Sequence, residues 1–79
     1  MKIQLYYFAL LQDQRGLAEE QLQIEPQTVS QLYSALKTQH QFTLKPEALR
    51  ISVNEQFVSW DTPLEDGDEV VFIPPVSGG

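Results

Sequence analysis

The chain has no cysteine, a single histidine and few basic residues, and each shortage excludes a class of protein. Without cysteine there is no disulfide framework, no thiolate metal site and no nucleophilic thiol. One histidine cannot build a metal cluster unaided, and we expect His40 to be a solvated residue near the end of a helix. These absences leave little room for metal or thiol chemistry in the side chains.

Charge and hydropathy narrow the choice further. Five bases against eleven acids give a formal net charge of −6, which argues against nucleic-acid binding because phosphate contact needs basic patches. No apolar run approaches the ~20 residues that a membrane span requires, and Met1 and Lys2 lead directly into a strand pattern. We therefore expect a soluble cytoplasmic protein that binds neither nucleic acid nor membrane.

What is present is the composition of one small folded domain. The chain has 79 residues, of which 42% are hydrophobic, and a domain of this size must build its core efficiently. Residues 2–8 alternate with a period of two, which predicts a strand. One face carries Ile3, Leu5 and Tyr7, and the other carries Lys2, Gln4, Tyr6 and Phe8. Residues 20–24 alternate again, so the two runs can form an antiparallel hairpin across a short helical turn or loop at residues 9–16.

The strongest helix signal follows Pro26. Residues 28–31 (T-V-S-Q) match the capping box, in which a threonine and a glutamine satisfy each other's backbone donors. The apolar residues then recur at the spacing of one helix face: Val29, Leu32, Tyr33 and Leu36. This pattern predicts an amphipathic helix that ends near His40 and covers a core.

Three more strands are predicted after a loop at residues 42–47. They are the alternating run 49–53, the short run 57–59 and the run 69–73. The last is apolar on both faces and therefore predicted to be central. The order β-β-α-β-β-β, with the first and last strands parallel, predicts an α+β protein of the β-grasp (ubiquitin-like) fold. Its five-stranded mixed sheet would carry one main helix across one face, within a domain of residues 1–74.

One helix covers one face of a sheet, so the other face should be exposed and partly apolar. Either Val71 and Ile73 or Val70 and Phe72 must lie there, and parity adds Tyr6, Phe8 and Phe57. An exposed apolar patch usually marks a partner site. The acidic stretch 61–69, which holds five of the eleven acids, either steers a basic partner or is simply a solvated turn around Asp66 and Gly67.

The chain ends in an unusual tail. Pro74 cannot donate to a sheet ladder and should end the last strand, leaving residues 75–79 as a flexible tail that finishes at two glycines. Ser77 lies beside them, but no His or Asp constellation supports a nucleophilic role. We interpret Ser77 as a spacer.

The quoted residues resemble one family over essentially the whole chain. The resemblance is carried by residues 7–9 (Y-F-A), 53–54 (V-N), Val58, Asp61, 63–64 (P-L), 66–70 (D-G-D-E-V) and 72–79 (F-I-P-P-V-S-G-G). The chain is similar to the small subunit of molybdopterin synthase, a sulfur carrier.

The resemblance implies that the Gly79 carboxylate is adenylated by an E1-like, ATP-using enzyme and then receives sulfur from a donor system as a thiocarboxylate. The tail would enter the large synthase subunit, with Gly78 giving clearance, and supply sulfur to cyclic pyranopterin monophosphate. The interface implied comprises Phe8, Phe57, Ile73, Pro75, Val76 and Ser77. The family suggests a heterotetramer, no cofactor bound by this chain, and catalysis located in its partners.

Three alternatives remain open at this point. A sulfur carrier for thiamine thiazole synthesis also has a β-grasp domain that ends in diglycine. A ubiquitin-like modifier would be conjugated through Gly79 to lysines of other proteins. A plain β-grasp interaction module would have a tail with no chemical role.

Overall fold

A computed structural model describes residues 1–75, which form one sheet and the helices that pack on it. The elements are β1 (Lys2–Tyr7), α1 (Ala9–Arg15), β2 (Glu19–Gln23), α2 (Val29–His40), a 3₁₀ turn (Pro46–Ala48), β3 (Arg50–Val53), β4 (Gln56–Val58) and β5 (Glu69–Ile73). All five predicted strands are present, and each of their bounds lies within one residue of the prediction.

The sheet is mixed, and its strand order is β2-β1-β5-β3-β4. β1 and β5 are parallel, whereas the other three neighbouring pairs are antiparallel. The last strand of the chain is therefore the central strand of the sheet, as its apolar residues on both faces predicted. Phe72 pairs with Tyr7 on one side and with Ile51 on the other.

The main helix, α2, begins at the predicted capping box. Thr28 Oγ1 accepts a hydrogen bond from the Gln31 amide at 3.2 Å, and Gln31 Oε1 accepts one from the Thr28 amide at 2.8 Å. Two of the free amides at the start of the helix are thereby satisfied. The helix ends where Gln41 turns into the left-handed region, with φ of 58°.

The core lies between α2 and the inner face of the sheet. All four residues of the predicted helix stripe are buried there, together with the inward residues of β1, β3 and β5. Tyr33 is at the centre: its ring contacts those of Phe42, Trp60 and Phe72, and its hydroxyl donates to the Leu44 carbonyl at 2.7 Å.

The structure corrects three expectations. Residues 9–15 form a complete helix rather than a turn or loop, so two helices pack with the sheet. It ends at Gly16, whose φ is 84°, a conformation that glycine adopts without strain. The loop predicted at 42–47 contains the start of a 3₁₀ turn, because Pro46 suits a first helical position.

His40, expected to be solvated, is half-buried at the last position of α2, with its ring centroid 5.6 Å from that of Phe42. Burial lowers its pKa. None of the helices in residues 1–75 has the length and apolar character that crossing a membrane would require.

Candidate functional site

The described part of the chain ends just after the central strand, at one end of the sheet. β5 ends at Ile73, after which Pro74 is half-buried and Pro75 is exposed. Neither proline has an amide hydrogen, so neither can continue a ladder of hydrogen bonds. Val76, Ser77, Gly78 and Gly79, which include the two glycines predicted to carry the chemistry, lie outside the described residues.

Two shallow grooves flank Pro74 and Pro75. The smaller, of about 280 Å³, is also lined by Ala9, Leu10 and Leu44. The larger, of about 420 Å³, is also lined by Ile73 and residues 47–50. Ile73 and Pro75 were predicted from the sequence as interface residues. The other groove residues were not, because the groove walls come from segments far apart in the chain.

Phe8 lies at the same end of the sheet, at the turn from β1 into α1. Tyr7 is buried, whereas Phe8, the next residue, is 51% exposed. Ala9 then adopts a positive φ of 52°, which turns the chain sharply into the helix. Phe8 occupies the N-cap position with no side-chain hydrogen bond to the helix amides. The Phe8 side chain therefore does not cap α1.

The outer face of the sheet carries the apolar residues that parity predicted. Val70 and Phe72 are fully buried, so Val71 and Ile73 occupy the outer face. The register sets Val71 in a row with Tyr6 on one side and Ser52 on the other, and Phe57 lies beyond Ser52. Phe57 is 68% exposed. We call Phe8, Phe57, Val71 and Ile73 the outer patch.

Charge is unevenly distributed over this face. Near the chain exit, Arg50 is paired with Ile73 across the sheet, and its guanidinium carbon lies 5.9 Å from the Phe57 ring centroid. Towards the other end, the Tyr6 hydroxyl lies 3.5 Å from Glu69 Oε2. Desolvation, with the charges of Glu69 and Glu19, raises the pKa of Tyr6. On this face Arg50 thus lies beside the exit, and Glu69 lies further from it.

The acidic stretch 61–69 is largely part of the fold. Asp68 is buried, and its carboxylate accepts hydrogen bonds from Asn54 Nδ2 and the Glu65 amide. Asp66 accepts from the Lys2 amide at 2.6 Å. The turn precedes β5 and the tail follows it, so the two lie at opposite ends of the central strand. This arrangement favours the solvated-turn interpretation over steering of a partner towards the tail.

A polar cluster that the sequence analysis missed connects α1 to the sheet. The Glu20 carboxylate accepts two hydrogen bonds from Arg15, both at 2.9 Å, and one from the Tyr7 hydroxyl. Hydrogen bonding to Arg15 holds the pKa of Glu20 below its usual range, and burial raises that of Tyr7. One signal was available: parity predicts that Tyr7 faces inward, and a buried hydroxyl needs a partner.

The described part of the chain offers no centre for metal chemistry. No group of three or more His, Asp or Glu residues within positions 1–75 is placed to hold a metal ion. This end of the molecule carries Pro74 and Pro75, where the chain leaves the sheet, together with two grooves and an exposed apolar face. Such an arrangement can present a terminal group to another protein.

The topology and this site together define a class of protein. A helix packed on a mixed sheet, with parallel first and last strands and the terminus leaving the central strand, is the β-grasp or ubiquitin-like fold, as predicted.

The ThiS family model matches residues 5–79. Over 80 residues the chain is 35% identical to the molybdopterin synthase sulfur carrier subunit of Escherichia coli (strain K12), with 98% of this chain and 99% of that protein covered. The chain belongs to the ThiS family, and its resemblance to the small subunit of molybdopterin synthase is confirmed.

Solved structures agree with this placement. A Pyrococcus furiosus protein assigned as molybdopterin converting factor subunit 1 is 31% identical, with a TM-score of 0.80 over 96% of this chain and 99% of that one. The complex of subunits 1 and 2 of molybdopterin-converting factor from Helicobacter pylori 26695 contains a chain with a TM-score of 0.70. That chain is 21% identical, with full coverage of both, so it shows the fold alone.

Proposed function

We propose that this chain is the sulfur-carrying small subunit of a molybdopterin synthase. The Gly79 carboxylate is adenylated, converted to a thiocarboxylate and used to deliver sulfur to cyclic pyranopterin monophosphate. The observation that carries the proposal is the central strand, which ends at Ile73 on the exposed apolar face and is followed in the sequence by two prolines and, at positions 78 and 79, by two glycines. The near full-length relationship to the Escherichia coli subunit supports it.

The chemistry explains the residue types. A carboxylate is a poor electrophile, and adenylation gives its carbonyl carbon a good leaving group. A sulfur nucleophile attacks that carbon, a C–S bond forms, and the C–O bond to AMP breaks. The chain has no cysteine, so no thiol side chain can carry the sulfur, and the terminal acyl group is the remaining site. Glycine at 78 and 79 keeps the tail thin enough for a narrow channel.

Docking is assigned to the outer face and the start of the tail. Phe8, Phe57 and Ile73 would contact the large subunit, and residues 75–77 would lead the diglycine into its active site as a flexible extension of the domain at 1–74. Exposed apolar groups of this size are typical of partner sites. Support comes from the complex of subunits 1 and 2 of molybdopterin-converting factor from Helicobacter pylori, one chain of which shares this fold.

The remaining parts of the reaction belong to other proteins. An E1-like enzyme supplies the ATP-dependent adenylation, a separate donor system supplies the sulfur, and the large subunit supplies catalytic groups. The proposed setting is the cytoplasm, and the assembly is a heterotetramer of small and large subunits.

Intact-mass measurement tests the proposal. The purified chain is incubated with the activating enzyme, ATP and the sulfur donor, and its mass should rise by the difference between a sulfur and an oxygen atom. Adding the large subunit and cyclic pyranopterin monophosphate should then yield molybdopterin and return the original mass. Absence of the mass increase with active partners would contradict the proposal.

The matched control is a chain that lacks Gly79. It should not gain sulfur, yet its thermal midpoint should stay nearly unchanged, because an untethered terminus contributes little to stability. A large loss of stability would mean that the tail belongs to the fold. Adducts of this chain on lysines of other proteins would instead indicate a ubiquitin-like modifier, and sulfur delivery to a thiazole precursor would indicate the thiamine branch.

A further inference from the structure

Arg50 is a charged residue set among the apolar groups of the outer face. It is exposed and pairs with Ile73 across the sheet, while its guanidinium carbon lies 5.9 Å from the Phe57 ring centroid. It lines the groove of about 420 Å³ beside Pro74 and Pro75, and it also lines a second hollow of about 300 Å³ that includes Phe57 and Trp60. Arg50 therefore contributes to two hollows at the margin of the face assigned to docking.

Within residues 1–75, Arg50 forms no ion pair, although the chain carries eleven acids. Arg15, by contrast, is paired with Glu20. Glu47 lines the same groove as Arg50 but forms no ion pair with it. The guanidinium of Arg50 thus has no acidic partner within this part of the chain, and it lies within cation–π distance of the Phe57 ring.

Docking would remove this guanidinium from water. Phe57 and Ile73 flank it, so a partner that covers both also covers Arg50. Burying an unpaired charge is costly, and a facing carboxylate with good geometry offsets that cost. The planar guanidinium suits a carboxylate because two parallel hydrogen bonds can form, and arginine is enriched at interfaces for this reason.

We propose that Arg50 pairs with a carboxylate of the large subunit when the two proteins dock, and that this pair sets the orientation of the domain at the channel that receives the tail. The inference rests on the proposed function and specifies the chemistry of the partner surface: an aspartate or glutamate within an apolar surround. The domain as a whole is acidic, but Arg50 is a local positive charge. A carboxylate on the partner therefore favours the orientation that places it against Arg50 and disfavours the others.

The test measures the dissociation constant for the large subunit by calorimetry. Arg50→Glu should weaken binding by about 30-fold or more, because it places two carboxylates against each other in a desolvated contact. Arg50→Met keeps the apolar stem and should weaken binding by about 10-fold, since it strands the partner's carboxylate. The matched control is Lys2→Glu, the same charge reversal on the same face, roughly 20 Å away along the strand direction. It should change binding by less than about 3-fold.

A charge exchange identifies the partner residue. One acidic residue of the large subunit, changed to lysine, should restore binding of Arg50→Glu while weakening binding of the wild-type chain. If the wild type binds and Arg50→Glu binds within about 3-fold of it, or if Arg50→Met binds more tightly, the pairing is wrong and the proposed function stands. If the wild type does not bind the large subunit at all, both proposals fail.

Discussion

The two faces of the sheet carry similar residues, but one face is buried in the core and the other is exposed. Tyr7 and Phe72 face α2 and are buried, whereas their chain neighbours Phe8 and Ile73 face outward. Aromatic side chains occur on both sides, so residue type alone does not distinguish core from surface here. What distinguishes them is the pleat of the strand together with one covering helix on a single face. The uncovered face retains apolar area that a partner can bury.

The largest expected effect separates the two faces directly. Phe72→Ala removes a fully buried ring that contacts Tyr33 and Trp60, and it should cost about 3–5 kcal/mol of unfolding free energy. That is a large fraction of the stability of a domain this small. Ile73→Ala, one residue further on, should cost about 1 kcal/mol or less. Urea unfolding followed by circular dichroism measures both, and equal losses would mean that the outer face also stabilises the fold.

The neighbouring residues Glu20 and Glu19 give the second comparison, and the stability that Glu20 contributes should depend on pH. Glu20→Ala removes three hydrogen bonds from Arg15 and Tyr7 and should cost about 2 kcal/mol at pH 7. Exposed Glu19→Ala should change stability by less than about 0.5 kcal/mol.

Because the folded state lowers the pKa of Glu20, its stabilising contribution is full above the ordinary glutamate pKa of about 4.3. The contribution is lost as the pH falls through the folded value. Unfolding at pH 7, 5 and 3 should show the difference between wild type and Glu20→Ala shrinking only in the acid range. A difference that persists unchanged at pH 3 would argue against the ion pair as its source.

Tyr7 and Tyr6, which face opposite sides of the sheet, give the next comparison, with a smaller expected difference in stability. Tyr7→Phe leaves the ring in place and removes the hydroxyl that donates to Glu20, at an expected cost of about 1 kcal/mol. Tyr6→Phe removes a hydroxyl on the outer face whose 3.5 Å contact with Glu69 is long, and should cost less than about 0.5 kcal/mol. Thermal unfolding of both variants is the measurement. A reversed order would place the more important hydroxyl on the outer face.

Phe8→Asp should have the smallest effect on stability and a large effect on binding to the large subunit. Phe8→Asp places a preferred capping residue at the start of α1, where Phe8 makes no capping hydrogen bond. The stability should stay unchanged or rise by about 0.5–1 kcal/mol. Binding to the large subunit should weaken, because a charge then replaces an exposed ring on the docking face. Unfolding of this variant would show that Phe8 supports the core.

Much of the fold could be predicted from the sequence because its signals are local. The capping box at Thr28, the helix stripe from Val29 to Leu36 and the alternation in β1 depend on neighbours within a few residues, and each was confirmed. The continuous apolar run of β5 correctly indicated a central strand. The helix at residues 9–15 was only partly foreseen, since it lacks both a side-chain cap and an acidic first turn.

Less of the candidate site than of the fold could be predicted from the sequence. The diglycine tail and the outer residues Phe8, Phe57 and Ile73 were predicted, the latter from parity and resemblance. The grooves formed with Leu10, Leu44 and Arg50 were not, because the packing of a helix, a loop and a strand that are distant in the chain brings those residues to the exit.

The sequence by itself determined which residues of each strand share a face, where α2 begins, and that the chain ends in proline and glycine. These follow from backbone geometry and side-chain chemistry over short distances. Only the tertiary structure decided that Asp68 is buried within a turn, that Glu20 joins Arg15 to Tyr7, and that Arg50 lies between Phe57 and Ile73. Those arrangements depend on how strands distant in the chain align, and that alignment is settled when the whole core packs.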